Sequence, residues 1–190
     1  GEMCTARLRA SLVPALPADY VQLLPLPRGS LSGLTAVPLA AGPLPGGCVL
    51  LSVRAVGLNF RDVLNVLGMY PGDPGPPGGD CSGVVVACGT RACAVAGDAV
   101  FGLAPGSLGT HVVASSAMLA SKPLAVSFEE ASACSTVYVT VDLALFHAGS
   151  ASPSRTVLVH GATGGVGLAA VDVARAARIR ALGSAGSAQK

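Results

Sequence analysis

Short apolar runs broken by glycine fill the first two thirds of the chain. "CVLLSVRAVG" (48–57), "CSGVVVACG" (81–89), "GDAVFGL" (97–103) and "GTHVVASSAMLA" (109–120) mix branched apolar residues with small or polar ones. Each stops at turn residues, so each is predicted as a β-strand. "NFRDVLNVLGMY" (59–70) has another period. Phe60, Val63, Leu64 and Leu67 recur at helical spacing, with Asn59 at the N-cap and Asp62 in the first turn. "PGDPGPPGGD" (71–80) suits neither element and is a loop. Many short strands with Gly-rich turns point to a small barrel.

The period changes after Pro123. "SFEEASACSTVYVTVDLALFHAG" (127–149) is predicted helical, with Ser127 as N-cap and Glu130 completing a capping box. "TVLVHG" (156–161) follows as a buried strand, "GVGLAAVDVARAAR" (165–178) as a helix and "IRALGS" (179–184) as a second strand. Strand, helix and strand form one βαβ unit, which implies a parallel sheet. A complete doubly wound dinucleotide domain has about five or six strands, and only two are predicted here. The expected architecture is therefore α/β plus β. Residues 1–125 form a barrel domain. Residues 126–190 form a linking helix and the first βαβ unit of a truncated Rossmann domain.

Composition narrows the function classes. Of 190 residues, 51% are hydrophobic, 12% charged and 4% aromatic, with net charge +2. The chain can bury a sizeable core, and the lack of a basic block argues against nucleic acid as a partner. Apolar stretches are all interrupted before the roughly 18–20 residues of a membrane span. The first residues, "GEMCTARLRAS", carry no apolar signal core and no initiator Met, which fits a fragment of something longer. The six cysteines (Cys4, Cys48, Cys81, Cys88, Cys93, Cys134) include no C-x-x-C pair. They are expected to be reduced cytoplasmic thiols used as small apolar residues.

Residues 162–167 read Ala-Thr-Gly-Gly-Val-Gly. Ala162 replaces the first glycine of the three-glycine fingerprint. Gly164 and Gly165 still let backbone N–H groups approach a pyrophosphate, and Gly167 lets helix and strand pack closely. Ala162, Thr163, Gly164, Gly165 and Val166 are the candidate phosphate-binding residues, at the positive end of a helix dipole. A tight βα turn without ligand is the alternative. NAD binders place a carboxylate about twenty residues further on. Here Ser184, Ser187 and Lys190 stand instead, which suits a 2′-phosphate and favours NADPH. Lys190 as a solvated surface lysine is the competing assignment.

These segments together are recognisable. "VRAVGLNFRDVLNVLGMYPG", "RGSLSGL", "GDAVFGL", "VLVHGATGGVGLAAV" and "GSAGSAQK" closely resemble, in order, the enoyl reductase domains of modular polyketide synthases. That group lies in the zinc-free branch of the medium-chain dehydrogenase/reductase superfamily, whose quinone oxidoreductases look similar in the last fifty residues. The resemblance covers residues from about 20 to 190. It implies a GroES-like barrel followed by a nucleotide-binding domain. It also implies NADPH-dependent reduction of a trans-2-enoyl thioester held on acyl carrier protein, beside other domains of a multidomain synthase.

The resemblance also assigns residues. Tyr70 stands where the family has an active-site tyrosine facing the substrate α-carbon. Asn59 would lie beside the nicotinamide, and Thr140 matches a threonine that contacts the cofactor from the linking helix. Each has a plain structural alternative: loop packing for Tyr70, a helix cap for Asn59, a buried helix hydroxyl for Thr140. Zinc-dependent relatives carry a ligand Cys and a ligand His where this chain has Asn59 and Gly79. No metal is expected, since a catalytic zinc takes three protein ligands. His160 ends the first strand of the βαβ unit and is more ordinarily a core or neighbouring residue. His111 and His147 belong to no constellation, and Ser132 and Ser135 lack a base motif for a hydrolase. The chain departs from the family at Val141, Asp142 and Leu143, where aromatics are usual. A stand-alone quinone or enone reductase and a non-catalytic structural remnant are the alternatives.

The phosphate assignment predicts an asymmetric effect. One lost charge-assisted contact is worth about 1.5–3 kcal/mol. Lys190→Ala, assayed in a protein that completes the Rossmann sheet, should weaken NADPH roughly ten- to a hundredfold and leave NADH nearly unchanged. Equal loss for both cofactors would contradict the assignment.

Overall fold

A computed structural model describes residues 20–39 and 43–186. Five strands form one antiparallel sheet in the order β6-β3-β4-β5-β7. They are β3 (Cys48–Gly57), β4 (Asp80–Cys88), β5 (Ala99–Leu103), β6 (His111–Ser115) and β7 (Leu119–Ser121). A separate ribbon pairs β1 (Val21–Pro25) with β2 (Leu34–Pro38), antiparallel, with Val21 opposite Pro38. Neither strand is predicted by the residue pattern.

Alternation along the strands makes the core. Val49 and Leu51 of β3 face inward with Val112 and Ala114 of β6, at the period of two that a pleated strand imposes. Cys81 and Val85 of β4 and Val100 of β5 complete the cluster. The residue pattern predicts one strand over 109–120, and the structure has two. A 3₁₀ turn at Ser116–Met118 interrupts it, and β6 and β7 lie on opposite edges of the sheet. The Ser116 hydroxyl anchors the turn by donating to Gly47 O at 2.8 Å and accepting the Cys93 N–H at 3.0 Å.

Between β3 and β4 lies α1 (Phe60–Val66). After β7 come α2 (Phe128–Ser132), α3 (Ser135–Asp142) and a π-helical turn at Leu143–Ala148. The predicted helix over 127–149 is thus broken at Ala133 and Cys134. Its start agrees with expectation. Ser127 Oγ accepts the Glu130 N–H at 3.1 Å, and Glu130 accepts the Ser127 N–H at 2.8 Å. Helix α2 presses against β3 so closely that a Cβ on Gly57 would stand 2.2 Å from Ser132 O.

The last segment is β8 (Thr156–Val159), α4 (Gly165–Ala176) and β9 (Arg180–Gly183), with β8 and β9 parallel and Val157 opposite Ala181. This is the predicted βαβ unit. Val141 of α3 packs with Ala169 and Ala170 of α4, flanked by Val137, Leu145, Val159 and Val173. The small residues let the two helices approach.

Gly167 has the close-packing role expected of it. A Cβ there would meet Gly161 O at 2.3 Å and the Ala162 Cα at 2.6 Å. At Gly165 the nearest atom would be Val137 Cγ1 at 3.8 Å. Gly167→Ala is therefore expected to destabilise the fold by about 1–3 kcal/mol through overpacking. Gly165→Ala should change stability by less than about 0.5 kcal/mol. Urea unfolding of the pair measures the difference, and equal effects would contradict the packing role.

Candidate active site

Helix α1 is turned opposite to what its apolar periodicity suggests. Phe60 is 75% exposed, and Val63 and Leu67 also face outward. Its buried residues are Asp62, Asn65 and Val66. The polar pair faces inward because the glycine- and proline-rich loop beside it has backbone groups to satisfy. Asp62 accepts the Gly78 N–H and the Asn59 N–H, each at 2.8 Å. The Asn65 amide donates to Gly75 O at 3.0 Å, and Arg61 donates to Pro74 O at 2.9 Å. Gly78 itself has φ +92°, and a Cβ there would meet Leu108 N at 2.4 Å. The loop is therefore sewn to the helix along its length.

Tyr70 follows directly on α1. Its N–H donates to Leu64 O at 3.2 Å, and the Arg61 guanidinium lies 5.4 Å from its ring centroid. The residue is half-buried. Further along the loop, the Gly75 N–H, then Arg28, hold the Asp73 carboxyl below the usual carboxylate range.

The loop ends at Asp80, the first residue of β4, which is 2% exposed. Its Oδ2 accepts from Asn59 Nδ2 at 3.1 Å. Its Oδ1 accepts the Thr136 hydroxyl at 2.7 Å and the Thr136 N–H at 3.1 Å. Asn59 is the N-cap of α1, as predicted, and forms a capping box with Asp62, while its Nδ2 donates to Asp80. Thr136 belongs to the first turn of α3, where backbone N–H groups lack intrahelical partners. The break at Ala133–Cys134 is what leaves this N–H for Asp80 to accept. Thr140, singled out from sequence, lies one turn further on and is exposed. The structure brings Asn59 together with Thr136, a residue that no sequence motif marks. Two threonines one turn apart look alike until the helix break is known.

The glycine turn faces the first turn of α3 as well. Gly161 has φ +66°, and Gly164 donates its N–H to Gly161 O at 3.0 Å. Gly164 is the N-cap of α4 and supplies no side-chain cap. The next N–H groups, of Gly165, Val166 and Gly167, begin the helix without intrahelical partners. Thr163, Gly164, Gly165 and Val166 are exposed, while Ala162 is half-buried. An uncapped helix start with open backbone above it fits a phosphate group. Thr136 bonds Asp80, and the side chain of the next residue, Val137, would lie 3.8 Å from a Cβ placed on Gly165. The polar joint and the glycine turn are thus adjacent.

At the end of β9 the Ser184 hydroxyl lies 3.0 Å from His160 Nδ1. The Ser184 backbone also pairs, donating to Val159 O at 3.0 Å and accepting from Ala162 at 2.9 Å. Ser184 is therefore held beside the turn. Ser187 and Lys190 lie outside the described residues.

Among the described residues no group of three or more His, Cys, Asp or Glu side chains is gathered as a metal site requires. Burial pushes the Cys81 thiol up to about 12, as befits a core residue. Cys88 and Cys93 are exposed, contrary to the apolar role expected of all the cysteines. Both sit where β4 leaves the sheet, and the Cys88 thiol donates to Ala94 O at 3.2 Å. No helix among the described residues is long and apolar enough to cross a membrane. An apolar groove of about 740 Å³ runs between β5, β7 and α3, lined by Phe101, Leu103, Met118, Val126 and Tyr138.

Residues 45–124 match the family described as alcohol dehydrogenase GroES-like domain. The pikromycin polyketide synthase component PikAII of Streptomyces venezuelae is 43% identical over 169 residues. That match covers 86% of this chain and 4% of the synthase. Among solved structures, the CurK enoyl reductase has a TM-score of 0.80 at 31% identity, over 90% of this chain and 55% of that one. The Escherichia coli quinone oxidoreductase complexed with NADPH has a TM-score of 0.75 at 29% identity, over 89% and 53%. The chain spans about half the length of these solved reductases and a small part of the synthase.

Proposed function

We propose that this chain, which belongs to the medium-chain dehydrogenase/reductase superfamily and within it to the enoyl reductase domains of modular polyketide synthases, serves the NADPH-dependent reduction of a trans-2-enoyl thioester. Its fold is a GroES-like domain followed by a partial Rossmann unit, and its oxidoreductase character follows from the family. Four further features complete the proposal. They are the NADPH preference, the acyl carrier protein that bears the substrate, and the roles of single residues. The domain division, 1–125 and 126–190, belongs with them.

The observation that carries the reading is the adjacency at Thr136 and Val137. One residue holds the joint at Asp80, and the next, Val137, has its side chain on the side of α4 where the glycine turn starts, 3.8 Å from where a Cβ on Gly165 would stand. A dinucleotide fits this arrangement, because the uncapped start of α4 offers N–H donors and a positive dipole end to a pyrophosphate. When bound, the cofactor supplies hydride to the β-carbon of the enoyl group. The chain's own residues do the rest. Ala162 to Val166 cradle the phosphates, and Ser184, Ser187 and Lys190 receive the 2′-phosphate. Asn59 and Thr136 face the nicotinamide end, with Thr140 one turn behind. Tyr70 delivers a proton to the α-carbon, so that hydride and proton together saturate the double bond. The loop that Asp62 and Asn65 pin to α1 keeps Tyr70 in place for this. Asn59 and Gly79, at the positions where zinc-dependent relatives carry ligands, support a metal-free reaction.

A second reading, a stand-alone quinone or enone reductase, draws on the likeness to a quinone oxidoreductase solved with NADPH. It shares the glycine turn and differs in substrate.

Tyr70→Phe separates proton delivery from packing, because the ring and its Arg61 contact remain. If the phenol is the donor, turnover of an enoyl thioester should fall by about 10²–10⁴-fold. If it only orients the donor, the rate should survive and the configuration at a methyl-bearing α-carbon should change. Unchanged rate with unchanged stereochemistry would remove Tyr70 from the reaction.

A further inference from the structure

Tyr70 is held in two ways, and only one of them reaches its ring. Its backbone is fixed by α1. Gly68 reverses the chain at φ +67°, and Leu64 O then accepts the N–H groups of Met69 and Tyr70, at 2.8 and 3.2 Å. A fixed backbone still leaves a side chain its staggered rotamers. A phenol that swings among them offers its proton in more than one direction. The ring is met by Arg61, from the first turn of the same helix. The guanidinium lies over the ring at 5.4 Å from its centroid, within the distance at which an aromatic face attracts a cation. It is also tethered, because Arg61 Nη2 donates to Pro74 O at 2.9 Å. The tether point is secured in turn. Asn65 donates to Gly75 O, and the Gly75 N–H donates to Asp73. Asp73, one residue before Pro74, pairs with Arg28 rather than with Arg61.

We infer that Arg61 is a positioning residue for proton delivery: its tethered cation holds the Tyr70 ring in one orientation, so that the phenol reaches one face of the substrate α-carbon. The inference rests on the role proposed for Tyr70 above and adds what aims it. A neutral side chain at 61 would pack beside the ring without being drawn to its face. A cation without the Pro74 tether would be free to leave the ring for water. The loop after Tyr70 thus does more than follow the helix, since it fixes the group that fixes the ring.

The test uses the full-length protein that contains this chain, with NADPH and a trans-2-methyl-2-enoyl pantetheine thioester. The quantity read is whichever Tyr70→Phe alters, turnover number or the ratio of the two configurations at C2. Arg61→Met keeps a long side chain and removes both charge and tether. It should lower that quantity by about two- to fivefold, the range of one exposed cation–aromatic contact, with KM for NADPH unchanged. Arg61→Lys keeps a cation and should recover most of the loss. Added to Tyr70→Phe, Arg61→Met should cause no further loss, because the hydroxyl it aims is gone. Thermal melting checks that each variant folds. If Arg61→Met does not, Arg61→Gln, which can still donate to Pro74 O but carries no charge, takes its place with the same expected loss. An unaltered quantity in the neutral variant would overturn the inference. So would a loss confined to KM, a loss as great in Arg61→Lys, or an equal loss on top of Tyr70→Phe. Unchanged turnover and configuration in Tyr70→Phe itself would instead overturn the role of Tyr70, and this inference with it.

Discussion

A carboxylate withdrawn from water must be surrounded by donors, and Asp80 meets that requirement with groups from two distant parts of the chain. Asn59 comes from the start of α1 and Thr136 from the start of α3, 77 residues later by their numbers (136 − 59). Neither helix can shift without leaving a buried charge short of partners. The constraint therefore holds together the start of β4, the helix that precedes Tyr70, and the helix that packs on α4. Apolar packing supplies the bulk of the core around Val49, Leu51 and Val85, but it is not directional. The hydrogen bonds at Asp80 choose the register in which sheet and linking helix meet.

Helix α1 follows the same logic on a smaller scale. Its inward residues are polar because they serve a loop of glycines and prolines that makes few ladder bonds of its own. Asp62, Asn65 and Arg61 satisfy that loop at Gly78, Gly75 and Pro74. The outward apolar residues, Phe60 and Val63, stand free on the described surface. Rigidity of the loop thus comes from side chains of the helix, and Tyr70 inherits it.

How much of this the sequence discloses differs by element. The βαβ unit is legible because three signals coincide: an apolar run, glycines at a helix start, and small residues along α4. The capping box at Ser127 and Glu130 is likewise local chemistry and appears where expected. Faces and breaks are not local. The apolar stripe of α1 predicts a helix and misplaces its buried side, because the neighbouring loop's unmet backbone groups outweigh the stripe. The run 109–120 carries strand-forming residues throughout, yet the Ser116 hydroxyl finds Gly47, distant in sequence, and the run divides between two sheet edges. Thr136 is hidden in the sequence for the same reason. Its role depends on a helix break and on a carboxylate 56 residues away.

The proposed chemistry places hydride on one carbon and a proton on its neighbour. Mass spectrometry and NMR of the product from a trans-2-enoyl pantetheine thioester, reduced with NADPH deuterated at C4 by the full-length protein, examine this directly. One deuterium is expected at C3 of the saturated thioester, with hydrogen from solvent at C2. Absence of label from the thioester, with label consumed when a quinone is offered instead, would contradict it.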